Sequence, residues 1–149
     1  MKKIIIASDH GAVALKEEII VFLRKQNCEV KDMGVASAES VDYPDVAYAA
    51  CTEFKKGGYA FGILLCGTGI GMSITANKVK GIRCALLFDL FTAEMAKAHN
   101  KANFIAFGGR VKYNVPVTAM IEKFMNTNFE GDRHERRIAK IMAIEESDC

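Results

Sequence analysis

The sequence predicts an α/β fold, a three-layer α/β/α sandwich around a five-stranded parallel sheet, and two observations carry that expectation. Short strand-like apolar runs alternate with longer stretches of helical periodicity along the chain, the order expected when helices cover both faces of a sheet. The chain has 149 residues, 50% of them hydrophobic, enough for a core of this kind within one domain spanning 1–149.

The first strand is expected at residues 3–7, where three isoleucines precede Ser8. That apolar run is too short for the core of a signal peptide, and no stretch approaches the roughly 20 apolar residues a membrane span requires. A soluble, unanchored chain is the expectation. Leu15, Ile19, Phe22 and Leu23 follow at helical spacing, with Asn27 as a stop before a second strand at 29–33. A helical pattern over 45–54 runs into the Gly57-Gly58 turn and a third strand at 61–65. Beyond Gly71 comes an apolar helical stretch, then a fourth strand at 83–88, a helix over 89–98 and a fifth strand at 104–107. Gly108-Gly109 marks the next turn. A helix from about 114 to 125 is broken by Asn126-Thr127-Asn128, and a last helix spans about 132–146.

Charge and cysteine content exclude several classes. A formal net charge of +2, from 20 basic and 18 acidic residues, provides no general field to recruit nucleic acid, so an anionic partner has to be met locally. The densest basic cluster is Arg133, His134, Arg136, Arg137 and Lys140, which as a helix face is also what plain solvation produces. Cysteines at 28, 51, 66, 84 and 149 form no C-x-x-C pair, and the odd count argues for a reducing, cytoplasmic setting. Cys28, Cys51 and Cys84 lie within element patterns and read as core, while Cys149 suggests no role.

Cys66 is different, because it stands where the third strand opens into Cys66-Gly67-Thr68-Gly69-Ile70-Gly71. Three glycines let the backbone curl with its N–H groups inward, and the positive end of the following helix faces the same pocket. Such a nest suits a phosphate or a developing oxyanion, and its field favours a thiolate able to act as base or nucleophile. Ser8-Asp9-His10-Gly11 closes the first strand, so Asp9 and His10 should open onto the same crevice. Asp before Gly is equally an ordinary helix cap. Arg110, after the fifth strand, fits an anion ligand or a loop charge. Arg133 and Arg137, four apart, share one face of the last helix, where two guanidiniums can grip one phosphate.

His99-Asn100 ends the fourth helical pattern, and a histidine there can simply complement the negative helix end. A crossover helix returns from the top of the sheet, so His99 should lie at the bottom, away from Cys66; a catalytic His99 would serve a partner's site. No phosphate-loop signature is present, and Gly67, Gly69 and Gly71 form G-x-G-x-G rather than the dinucleotide pattern. Asp89 does follow about 20 residues on, where a ribose-binding acid would stand, which keeps a nucleotide-binding module open. Three scattered histidines without His/Cys spacing argue against zinc.

Ser8-Asp9-His10-Gly11, Asp42-Tyr43-Pro44, the Cys66 to Gly71 turn, Asn77-Lys78, Gly81-Ile82-Arg83, His99-Asn100, Gly108-Gly109-Arg110 and Gly131-Asp132-Arg133-His134 occur in this order across almost the whole chain. In this the chain resembles the ribose-5-phosphate isomerase B family, with a Rossmann-like fold. The resemblance implies cofactor-free interconversion of ribose 5-phosphate and ribulose 5-phosphate through an enediolate, in the non-oxidative pentose phosphate pathway. By position, Cys66 matches the base that moves a proton between C2 and C1. Some members place a glutamate nearby in that role, where this chain holds Met72. Gly67, Gly69, Ile70 and Gly71 match the amides that stabilise the enediolate. Thr68 and His99 match groups that open the sugar ring, with Asn100 beside them. Asp9, His10, Arg110, Arg133 and Arg137 match substrate and phosphate contacts. Members form homodimers or dimers of dimers with sites shared between chains, which accommodates a distant His99. Relatives acting on allose 6-phosphate or galactose 6-phosphate share these motifs. A non-catalytic sugar-phosphate or nucleotide-binding module is the alternative of another class.

Overall fold

A computed structural model describes residues 1–147. Five strands, β1 (Lys3–Ser8), β2 (Glu29–Asp32), β3 (Phe61–Cys66), β4 (Cys84–Leu86) and β5 (Phe104–Gly108), form one parallel sheet in the order β2-β1-β3-β5-β4. Helices α1 (Val13–Lys25), α2 (Tyr43–Lys55), α3 (Ile70–Asn77), α4 (Leu90–Ala98), α5 (Val117–Asn126) and α6 (Arg133–Ser147) complete the fold, with a short 3-10 turn at His10–Ala12. No helix among the described residues is long and apolar enough to cross a membrane.

The central strands are apolar at nearly every position because both of their faces are covered. Ile4, Ile6, Ile63 and Leu65 pack with α1, α4 and α5, whereas Ile5, Ala7, Leu64 and Cys66 pack with α2 and α3. That split follows from the two-residue period of a strand. It also puts α1 and α3 on opposite faces, so the chain leaves the ends of β1 and β3 in opposite directions and a crevice opens between them.

Boundaries depart from the sequence expectation where side chains compete for backbone groups. The fourth strand is shorter than 83–88. At its start the Arg83 N–H donates to Asn103 Oδ1, and at its end the N–H groups of Phe88 and Asp89 turn to Thr92 Oγ1, beginning the capping box of α4. α5 begins three residues later than expected because Pro116 occupies its N-cap in extended conformation. α2 begins earlier, with Pro44 in its first turn. α1 stops as expected, Asn27 taking a left-handed φ of 57°.

The expected core cysteines are free thiols, Cys28 and Cys51 buried and Cys84 partly so; burial pushes Cys51 up to about 12. Cys149 lies outside the described residues.

Candidate active site

Three neighbouring strands, β1, β3 and β5, end at one place, and glycines allow them to meet there. A Cβ on Gly11 would stand 2.9 Å from the Gly67 nitrogen, and one on Gly109 would stand 2.5 Å from the Gly11 carbonyl oxygen. Backbone bonds lock the junction: Gly109 N–H donates to Cys66 O at 2.8 Å, Arg110 N–H to Gly67 O at 2.9 Å and Asp9 N–H to Leu65 O at 3.1 Å. Cys66 closes β3 with its side chain 5% exposed, and its Sγ accepts the Gly69 N–H at 3.1 Å. Gly69 reaches that position with a φ of 80°, then α3 starts at Ile70.

The remaining groups at this end are arranged around the sulfur loop. The Arg110 guanidinium lies over Gly67, where a Cβ would come within 3.0 Å of Nη1. Thr68 Oγ1 accepts the Ile70 N–H at 3.2 Å. Asp9 acts as a cap, its Oδ1 accepting the Gly11 N–H at 2.8 Å. His10 Nδ1 accepts the Val41 N–H at 3.3 Å, which leaves Nε2 as the donor facing outward from that bond. Tyr43 packs its ring against Gly71. Tyr113 accepts the Gly108 N–H at 2.8 Å, and burial pushes its phenol up. Met72, by contrast, is fully buried among α2, α3 and the sheet and does not face this crevice. Asp89 is occupied as the α4 cap, Thr92 holding its carboxyl below the usual range, so it does not stand as a ribose ligand.

A second cluster lies at the opposite end of the sheet. His99 is the C-cap of α4, and Arg83 holds its neighbours through Nε to Asn100 O at 3.2 Å and Nη2 to Lys101 O at 2.8 Å. His99 and His134 stack with ring centroids 4.0 Å apart and planes at 10°, and each Nε2 lies 3.4 Å from Glu130 Oε2. Burial, with His99 and Arg133 beside it, holds His134 below the ordinary imidazole range. Arg133 and Arg137 extend exposed from the same start of α6. A cleft of about 600 Å³ beside β4 and α6, lined in part by Asn77, Arg83, Asn100 and Ile144, adjoins this end.

The candidate residues therefore form two groups. Cys66, Gly67, Thr68, Gly69, Ile70, Gly71, Asp9, His10 and Arg110 come together, whereas His99, Asn100, Arg133 and Arg137 assemble elsewhere. A six-residue strand separates the two ends by roughly 17 Å at about 3.3 Å per residue. Folding does bring two of the three scattered histidines together beside a glutamate, which their spacing in the chain does not foretell. Glu130 escaped the sequence reading, and His134 entered it only as part of a basic helix face and a family motif; no spacing rule pairs it with a residue 35 positions away.

A match to the Ribose/Galactose Isomerase family spans residues 4–141. The chain is 38% identical over 146 residues to ribose-5-phosphate isomerase B of Escherichia coli, covering 98% of each. Its fold superimposes on a Clostridium thermocellum ribose-5-phosphate isomerase B with a TM-score of 0.95 at 43% identity, covering 99% of each chain. On a Thermotoga maritima ribose 5-phosphate isomerase the TM-score is 0.91 at 46% identity, covering 95% of this chain and 98% of that one. The fold and site thus define an enzyme of the isomerase class. The chain belongs to the Ribose/Galactose Isomerase family.

Proposed function

We propose that this protein, as one domain over 1–149, is a cytoplasmic ribose-5-phosphate isomerase of the pentose phosphate pathway. It works as a homodimer or dimer of dimers without metal or organic cofactor. The observation that carries this reading is the Cys66 sulfur seated against the Gly69 N–H in a glycine nest, with the Arg110 guanidinium over Gly67.

His99, supplied with Asn100 by the partner, donates a proton to the ring oxygen while the O1 hydroxyl proton leaves, opening the furanose; Thr68 assists this step. Cys66 then takes the C2 proton, the freed pair forms the C1–C2 double bond, and the carbonyl oxygen becomes an oxyanion facing the amides of residues 67–71. Preorganised donors of this kind lower such barriers by several kcal/mol. Return of the proton to C1, with the O2 hydroxyl proton passing to O1, yields the ketose. Arg110, with Arg133 and Arg137 of α6 supplied like His99 by the partner, holds the phosphate and so keeps C2 against sulfur. Asp9 and His10 bind sugar hydroxyls.

The separation of the two residue groups supports a shared site, since one small sugar phosphate cannot touch both ends of one sheet. Exposed Ile70, Ile74, Phe88, Leu90 and Phe91 at the Cys66 end suit burial against a second copy.

The test incubates purified protein with ribose 5-phosphate in EDTA and follows ketose by absorbance, with Cys66→Ala in parallel. Ketose from wild type alone is expected. No ketose from folded wild type, but turnover of a hexose phosphate, would move the substrate; turnover of neither would leave a binding module.

A further inference from the structure

We propose that Glu130 and His134 are positioning residues for His99: the carboxylate selects which imidazole nitrogen presents its proton to substrate, and the neighbouring ring fixes the plane. The assignment rests on the ring-opening role proposed above and names what makes His99 able to perform it.

An imidazole at a helix C-cap with its side chain 35% exposed is otherwise free to turn. Its outer torsion has two broad wells that exchange the two nitrogens, so a proton donor there has to be oriented by something else. Glu130 orients it along the ring edge. Its Oε2 lies 3.4 Å from Nε2 of His99 and 3.4 Å from Nε2 of His134, and one carboxylate oxygen has lone pairs enough for two N–H groups. The rings are stacked at 4.0 Å with planes at 10°, so both present the same edge to that oxygen.

His134 supplies the face. It is buried, its Nε2 has no hydrogen-bond partner besides that carboxylate contact, and burial with His99 and Arg133 beside it holds it below the ordinary imidazole range. The ring is therefore neutral at neutral pH, and a protonated His99 lies against it without the repulsion of two imidazoliums.

The backbone brings the three groups together. Glu130 N–H donates to Ala98 O at 3.0 Å, His99 N–H donates to Met95 O at 2.9 Å, and Lys101 Nζ lies 5.0 Å from the centre of the Phe129 ring. Gly131 and Asp132 then take left-handed φ values of 72° and 48°, which turns the chain so that Glu130 and His134 meet although only His134 is helical.

With Nε2–H turned to Glu130, Nδ1–H is the proton that His99 delivers. The bond between C1 and the ring oxygen breaks, its electron pair stays on that oxygen, and the Nδ1 proton completes the new hydroxyl while the O1 proton leaves to solvent. His99 ends neutral, with its Nε2–H retained.

The experiment compares wild type, Glu130→Ala, Glu130→Gln and His134→Ala in two reactions: conversion of ribose 5-phosphate to ketose, and entry of solvent deuterium at C1 of ribulose 5-phosphate. The second needs proton transfer at Cys66 but no ring opening, because ribulose 5-phosphate has no hydroxyl placed to close a five-membered ring. Glu130→Ala should slow conversion about tenfold, with KM and deuterium entry each changed less than about twofold. Folded His134→Ala should behave alike, and Glu130→Gln, whose amide oxygen still accepts, should lose less than about threefold. Conversion and deuterium entry falling together in folded Glu130→Ala, neither of them falling, or Glu130→Gln as slow as Glu130→Ala would overturn the assignment. A wild type lacking both reactions would instead refute the isomerase reading itself, and this assignment with it.

Discussion

Cys66 and His134 sit at opposite ends of the sheet and make separate predictions. Replacing Cys66 with alanine removes the proposed base, and general base catalysis contributes about 10²–10⁴-fold. Turnover should fall by at least a hundredfold while calorimetric binding of ribose 5-phosphate persists; unimpaired turnover would refute the assignment. His134 is held below its unfolded pKa by burial, so between those two values the unfolded chain binds more protons than the native one. Stability is therefore present above about pH 6.5 and lost as the pH falls through the lower native value. The melting temperature should decline from pH 7 to 5, and His134→Gln should flatten part of that decline. Cys66 was readable because a strand end and a glycine turn adjoin it in the chain. His134 was not, because its stacking partner is brought to it by α4 and the segment before α6.

The strand β3 carries Gly62 in an otherwise bulky run, and its neighbour explains it. Gly62 pairs with Phe104 of β5, whose fully buried ring occupies the space a Cβ would need. Gly62→Ala should cost about 1–3 kcal/mol, as overpacking of a dense core does. A lower urea midpoint with unchanged activity per folded molecule is the expected result, and an unshifted midpoint would show that the ring yields freely. Element types were legible from periodicity, as in Leu15, Ile19 and Leu23 of α1. Their ends were less so, because a strand such as β4 stops where Asn103 and Thr92 take its backbone groups, and such competition depends on residues distant in sequence or on local cap geometry.

At the scale of the whole molecule, the mechanism proposed above requires an active unit of more than one chain, because Cys66 and His99 lie at opposite ends of the sheet. Mixed Cys66→Ala and His99→Ala chains should recover activity after subunit exchange, since each mixed dimer regains one intact pocket. In a random equal mixture half the dimers are mixed, and about a quarter of wild-type activity is expected. No recovery, with exchange demonstrated by mass, would assign both groups to one chain. The apolar side chains left exposed near the sulfur give the physical reason to expect a partner.

The alternation of apolar runs by itself determined a parallel sheet with helices on both faces, because strand and helix periods are local properties of a chain. The turn at Cys66 and the motifs of the isomerase family were local in the same sense. Tertiary structure alone decided which groups meet: that Gly11, Gly67 and Gly109 close one crevice, that Arg110 lies over Gly67, and that His99, Glu130 and His134 converge beyond the other end of the strands. Those contacts join residues far apart in sequence, and they follow from strand order and helix packing, which no local pattern encodes.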